Sequence, residues 1–341
     1  MKKLAFFIFV LCIGGCWNHT DAIENDFSTY LSRLANVQDV DSLPLPKTRY
    51  SRLPDIRDLK QNLEPMTLGL LDSYQLRHCQ LFQLIAEKNS ILGKVQDAFH
   101  DYDYQRQLLI GIGRCLDDAQ IREPLKSQLS EIQTLKHSQF PIRLSNLLFT
   151  SQAMRQQLET HSWLTQADFM NASQVIQALM ILVKSDVTHL SIAELSQLDP
   201  TIHIVPTQNI LENQPIIGKL NYSLANATAW LDVVNRQLEK YNTVIKCGEN
   251  RDMTKLNHLT NVFHQFYVVK LQPYLARLNR LYFQFQPFIT FLNTHPSYQY
   301  PLERHYQQFH EQTQRHVKYW QQLSKRCHIN LVEPLSLHVG E

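Results

Sequence analysis

Glycine is scarce in this chain: 9 of 341 residues. That excludes an architecture built on glycine-rich phosphate loops. Gly111-Ile112-Gly113 lacks the third glycine of a dinucleotide fingerprint and sits inside a helical pattern. An excess of one charge is also missing. There are 33 basic and 31 acidic residues and no basic block, so nothing is present to displace counterions from a nucleic acid. No apolar run approaches the ~20 residues of a spanning helix. Among fifteen histidines no two stand four apart, so His-Glu-x-x-His is absent. His305, His310 and His316 are spaced by five and six and fall on different helix faces, so no metal site is expected. There is no Gly-x-Ser-x-Gly elbow and no Ser-x-x-Lys element with its companions. Nothing calls for a cofactor.

What is present begins at the N-terminus. Lys2 and Lys3 precede an apolar core from Leu4 to Ile13, about half the length of a membrane span, and polar residues follow from Trp17. This is the build of an export signal. It closes on Ile13-Gly14-Gly15-Cys16, a lipoprotein cleavage box in which small residues flank the cut. Residues 1–15 are expected to leave as a signal peptide. Cys16 is expected to carry the diacylglycerol on its thiol and a further acyl chain, such as palmitate, on its amine. Several acyl chains make a stable anchor. Trp17, which is not Asp, directs the expected address to the outer membrane, facing the periplasm of a diderm bacterium. Loss of Lys2 and Lys3 leaves 31 basic against 31 acidic residues in the mature chain.

Four cysteines remain in the body: Cys79, Cys115, Cys247 and Cys327. An even number in an exported chain favours disulfides. Helical periodicity pairs them. Apolar spacing predicts a helix over 67–95 and another over 101–118. Cys79 and Cys115 lie at matching heights on the two arms of that hairpin. Gly111 and Gly113 permit the arms to approach. Three long helices are expected over 223–246, 252–285 and 301–326, with a kink at Pro273. In an up-down-up arrangement the first and third end on the same side, which brings Cys247 to Cys327. The rest reads as a helix over 22–38, a proline-containing strap whose Leu43, Leu45, Tyr50 and Leu53 lie on the body, and helices near 124–139, 143–160 and 166–184. The stretch 186–220 is irregular, with a short strand at Thr201–Pro206. The expected fold is therefore mainly α: a multi-helix bundle with disulfide-linked helices and one short irregular, β-containing segment. Its parts are the leader (1–15), the anchored N-terminus, first helix and strap (16–60), a helical body with an irregular insert (61–222), a C-terminal three-helix part (223–329) and a tail (330–341).

Carboxylates and polar clusters read as ordinary structure. His100-Asp101-Tyr102-Asp103 fits a helix cap, and Glu87-Lys88-Asn89-Ser90 fits a helix end. The one hint of binding is the aromatic stretch from Phe263 to Phe291. Phe283 and Phe285 cannot both face one side, so Phe283, Phe285 and Phe288 are the candidate surface for a partner or an apolar ligand.

Gly69-Leu70-Leu71-Asp72, Ala86-Glu87-Lys88-Asn89-Ser90-Ile91-Leu92-Gly93, Cys115-Leu116, Ile217-Gly218-Lys219-Leu220 and His316-Val317-Lys318-Tyr319-Trp320 up to Cys327 resemble proteobacterial lipoproteins of the family called domain of unknown function 3080. The resemblance covers nearly the whole mature chain. It implies a periplasm-facing lipoprotein and carries no activity, cofactor or catalytic residue. The leading expectation is a lipid-anchored module that binds an envelope protein, without catalysis. The alternatives are an envelope hydrolase acting on cell-wall or lipid material, and a carrier of an apolar ligand.

Overall fold

The computed structural model describes residues 22–64, 75–79, 81–90, 93, 97–248 and 251–330. Residues 1–21, which hold the expected leader and Cys16, the segment 65–74 and the residues beyond 330 lie outside the described residues. Among the described residues there is no strand. The main helices are α1 (Ala22–Gln38), α2 (Leu81–Asn89), α3 (Ala98–Asp117), α4 (Glu123–Ser138), α5 (Phe140–Thr150), α6 (Gln152–Leu158), α7 (Gln166–Ser185) and α8 (Ile216–Lys240). Then comes α9, made of Thr254–Val262, Phe263–Leu271 and Gln272–Phe285, and finally α10 (Leu302–Cys327).

α8 is the axis of the fold. It is buried around almost its whole circumference, from Ile216 to Leu238. A helix so enclosed must satisfy every polar side chain it carries. It does so by fastening other segments. Asn221 Oδ1 accepts from His305 Nδ1 of α10 at 2.7 Å. Ser223 Oγ accepts from Leu164 N at 3.0 Å and from the Tyr274 hydroxyl at 3.3 Å. Asn226 exchanges two bonds with the backbone of Arg49. Asn235 reaches His316 and Gln312 on α10. Gln237 accepts from Leu43 N and pairs with Gln38. Each lost bond would leave a buried group unsatisfied, at about 1–3 kcal/mol.

The partners fix the topology. Asn221 meets His305, Asn235 meets His316 and Asn242 meets Tyr319, so α8 and α10 run parallel. α9 runs antiparallel to α10, with Asn279 beside Tyr306 and Phe263 stacked on Trp320. α1 is antiparallel to α9, joined by Asp26–Lys270 and Asp39–Lys255. α9 is not uniformly α-helical. Its middle, Phe263–Leu271, is π-helical, and Gln272 N–H bonds to Tyr267 O, five residues back. Pro273 explains the departure. It supplies no N–H to Val269 and its ring crowds that carbonyl, so the helix widens just before it.

A smaller apolar cluster stands apart. Leu76, Leu81, Leu108, Ile112, Cys115, Ile121, Leu125, Leu129 and Ile132 pack among α2, α3 and α4. The Cys79–Cys115 disulfide belongs to it, and Cys247–Cys327 closes the end of the main bundle. Both pairings match those read from the sequence. The first hairpin departs from expectation in form. Residues 76–79 form a turn, so Cys79 precedes α2 instead of sitting inside a continuous helix over 67–95. A Cβ on Gly111 would meet Leu81 Cδ1 at 2.7 Å, so that glycine admits α2. Gly113 faces Ser196 and admits a different segment.

The stretch Thr201–Pro206 is not a strand. α3 takes its backbone groups one by one. Asp103 accepts from Ile204 N and Val205 N. Arg106 donates to the carbonyls of Asp199 and Ile202, and Gln107 to that of Pro200. With those groups taken, no sheet ladder can form, and the chain turns through a 3-10 turn at Val205–Thr207 and a short helix at Gln208–Asn213. α8 starts at Ile216, two turns before the expected 223, directly after Pro215.

Candidate functional site

The structure separates the three predicted surface aromatics. Phe285 is 1% and Phe288 6% exposed, and both belong to the core. Phe283 is 41% exposed. It stands edge-on to Tyr282 and to Tyr306, which stack on each other at 3.6 Å between centroids. The Tyr306 hydroxyl donates to Asn279 Oδ1 at 2.9 Å, which holds the ring in place. The surface expected around three phenylalanines thus narrows to Phe283 and the ring stack behind it.

His316 is the densest polar knot and lies out of reach of solvent. Asn235 Nδ2 donates to Gln312, so Asn235 Oδ1 is free to accept from His316 Nδ1 at 2.8 Å. Nδ1 therefore carries the proton. Nε2 accepts from Trp320 Nε1 at 3.1 Å and lies 3.3 Å from the Tyr30 hydroxyl. Tyr267, from the π-helical turn, leans on the ring at 4.3 Å. Burial pushes the imidazole down to about 3, so it stays neutral. Every ring nitrogen is engaged, and the knot joins α1, α8, α9 and α10.

His100-Asp101-Tyr102-Asp103 is not the cap. Asp97 fills that role by accepting from Phe99 N and His100 N. Asp101 receives Lys88 at 2.8 Å and Arg143 at 3.3 Å. Nearby, Lys136 donates to Gln105 Oε1 at 3.0 Å. Burial, then the repulsion of Arg143, pushes its ammonium down to about 8. This cluster ties α3 to α4 and α5. Among the described residues no group of three or more His, Cys, Asp or Glu could hold a metal ion. No described helix is long and apolar enough to cross a membrane.

Cavities open on the surface of the described residues, and two of them bear on function. One lies under the strap, about 420 Å³, between Pro44–Arg49 and the Ala229, Asp232, Val233 and Arg236 face of α8. Gln237 holds the strap at Leu43 and Asn226 holds it at Arg49. Between those two ties the backbone N–H groups of Leu45, Lys47 and Thr48 make no hydrogen bond among the described residues. Leu45 is 59% and Tyr50 61% exposed, while Leu53 is 6% exposed. The expectation that all four strap residues lie on the body therefore fails at Leu45, while Tyr50, though largely exposed, rests edge-on against His161 at 5.1 Å and tilted beside Tyr222. The ties at Gln237 and Asn226, far along the chain, left no trace in the spacing of the strap itself. The second cavity, also about 420 Å³, opens where α1 begins. It lies between Ala22–Asp26, Trp163–Phe169 and Lys270–Arg277.

No curated protein and no solved structure matches this chain. The family described as "Protein of unknown function (DUF3080)" matches residues 27–331, from the first turns of α1 to just beyond α10. That span takes in the small apolar cluster, all of the main one but Ile23, both disulfides, the strap and the His316 knot, and the chain belongs to that family.

Proposed function

We propose that the protein is a lipoprotein of the proteobacterial outer membrane, periplasm-facing, that holds an envelope protein partner. Residues 1–15 are the signal peptide and acylated Cys16 is the anchor. The observation that supports binding is the strap. Leu45 and Tyr50 are more than half exposed on a segment that is itself fixed at both ends. Large apolar side chains held rigidly in water lose little entropy when a partner covers them. The backbone N–H groups of Leu45, Lys47 and Thr48, unpaired among the described residues, offer an incoming extended segment hydrogen bonds, and the groove beneath offers a seat of mixed character, with Ala229 and Val233 beside Asp232 and Arg236. Phe283 is a second, smaller exposed site on a rigid helix.

In-cell crosslinking of the acylated protein, followed by purification and mass spectrometry, tests the reading. One dominant envelope protein is expected, lost in a Leu45→Ser, Tyr50→Ser double variant and reduced in Phe283→Ser. Crosslinks that survive all three changes would refute the strap as the seat. The anchor is checked independently: Cys16→Ala is expected to release the protein from membranes.

A further inference from the structure

The described chain starts on the lip of the second cavity. Ala22 and Ile23 line it, and only five residues separate Ala22 from Cys16. Six Cα steps span at most ~20 Å even when fully extended. An acyl group on Cys16 therefore holds this cavity within ~20 Å of the bilayer surface, whatever the segment between them does. The rest of the molecule has no such constraint.

The cavity's composition suits that position. Lys270 and Arg277 stand on its rim. Lys270 pairs with Asp26 at 3.3 Å. Arg277 lies 5.8 Å over the Phe169 ring and donates to Gln166 Oε1, with no carboxylate partner among the described residues. The neighbouring Asp168 is already taken by Lys219 at 2.8 Å and by the Thr165 cap. Trp163 lines the wall at 3% exposure, and its Nε1 has no hydrogen-bond partner among the described residues. In sequence next to the lining residues Phe169 and Lys270 come Met170 and Val269, at 66% and 59% exposure. Exposed apolar side chains set among cations, with tryptophan and tyrosine behind them, are the composition of a surface that sits in a headgroup layer.

We infer that this cavity receives the phosphodiester headgroup of a membrane phospholipid, with Arg277 and Lys270 on the phosphate and Met170 and Val269 in the interfacial layer. This rests on the anchor reading above, which brings the cavity to the membrane. Asp26 competes with the phosphate for Lys270 and so sets the strength of binding. The protein then rests on the bilayer by two attachments: a covalent chain and a headgroup site that fixes its orientation.

The test uses the mature chain carrying Cys16→Ser, which cannot be acylated, with both disulfides formed. It is floated with vesicles of equal parts phosphatidylcholine and phosphatidylglycerol. Binding is expected, weakened about fivefold by Arg277→Gln and further by Lys270→Gln, since each cation near such a surface counts for about that much. Asp26→Asn is expected to tighten binding by freeing Lys270, a gain that a purely structural role would not produce. Binding unchanged by Arg277→Gln and Asp26→Asn would overturn the inference. So would inorganic phosphate shifting the Trp163 indole N–H resonance as far as dihexanoyl phosphatidylglycerol does, because the site would then take a free anion. No acyl chain is present in this assay, so it reports on the cavity alone. The anchor stands or falls separately on the mass of the Cys16 peptide.

Discussion

Replacing His316 by glutamine gives a prediction with a calculable pH signature. At pH 7 the wild-type imidazole is neutral folded and mostly neutral unfolded. Glutamine can restore part of the bonding to Asn235 but not the ring against Tyr267 and the acceptor for both Trp320 and Tyr30. The loss is about 2–4 kcal/mol. As pH falls, the wild type pays a cost that the variant escapes. The unfolded histidine takes up a proton below its ordinary value of ~6.5, while the folded one resists to about 3. Folded stability is therefore present above pH ~6.5 and lost as pH falls through the window between the two values. At ~1.4 kcal/mol per unit, the drop between pH 7 and pH 5 is about 2 kcal/mol from this residue. The gap between wild type and His316→Gln is expected to narrow by that amount. His305, held down to about 4 by burial and nearby arginines, acts in the same direction but is present in both proteins and cancels. Urea unfolding followed by circular dichroism at pH 7, 6 and 5, with disulfides oxidised, measures the gap. A gap constant with pH would refute the account, as would a His316 ring proton titrating near 6.5.

Two further outcomes follow from packing. Gly218→Ala would place a Cβ 2.9 Å from Gln157 O and 3.0 Å from Leu158 C. These are backbone atoms that cannot rotate away, so a loss of about 1–3 kcal/mol is expected in the same unfolding assay. Opening each disulfide by paired Cys→Ser changes releases loops that differ in length, with sequence separations of 36 and 80. The chain-entropy account expects losses of about 4 kcal/mol for Cys79–Cys115 and about 4.5 for Cys247–Cys327. Comparable losses from both, larger than from any one surface change, are the result to look for.

Much of the fold was legible because its signals are local. The span of α1 follows from Ile23, Phe27, Tyr30, Leu31 and Leu34, and the structure places all five in the core. Pro273 announced a break in α9, though not that it would be a π-helical stretch. Cysteine placement along helices paired the disulfides. What was missed depends on partners distant in sequence. Ile202, Ile204 and Val205 alternate like a strand, but Asp103 and Arg106, about a hundred residues earlier, claim the backbone that a sheet would need. Leu45 and Tyr50 carry no mark of exposure, since Leu43 and Leu53 look the same and are at least partly buried. Histidine spacing could not reveal that Asn235 and Tyr30 would enclose His316. Of the cavity at Ala22, only the shortness of the link to Cys16 was readable.

The Tyr30–His316 contact joins residues 286 apart in sequence. A chain made from its N-terminus therefore completes its first helix long before that helix has anything to bury against. α1 waits for α8, α9 and, last of all, α10. Contacts of such long sequence separation carry a high loop-closure cost before they return any stability, and they slow folding. The small cluster around Cys79 and Cys115 has no such wait, because α2, α3 and α4 follow one another directly. Oxidation of the two disulfides therefore has a built-in order. The first needs only α2, α3 and α4 and can close before the C-terminal helices have packed. The second needs Cys327, at the end of α10, and so can close only after the main bundle has shut.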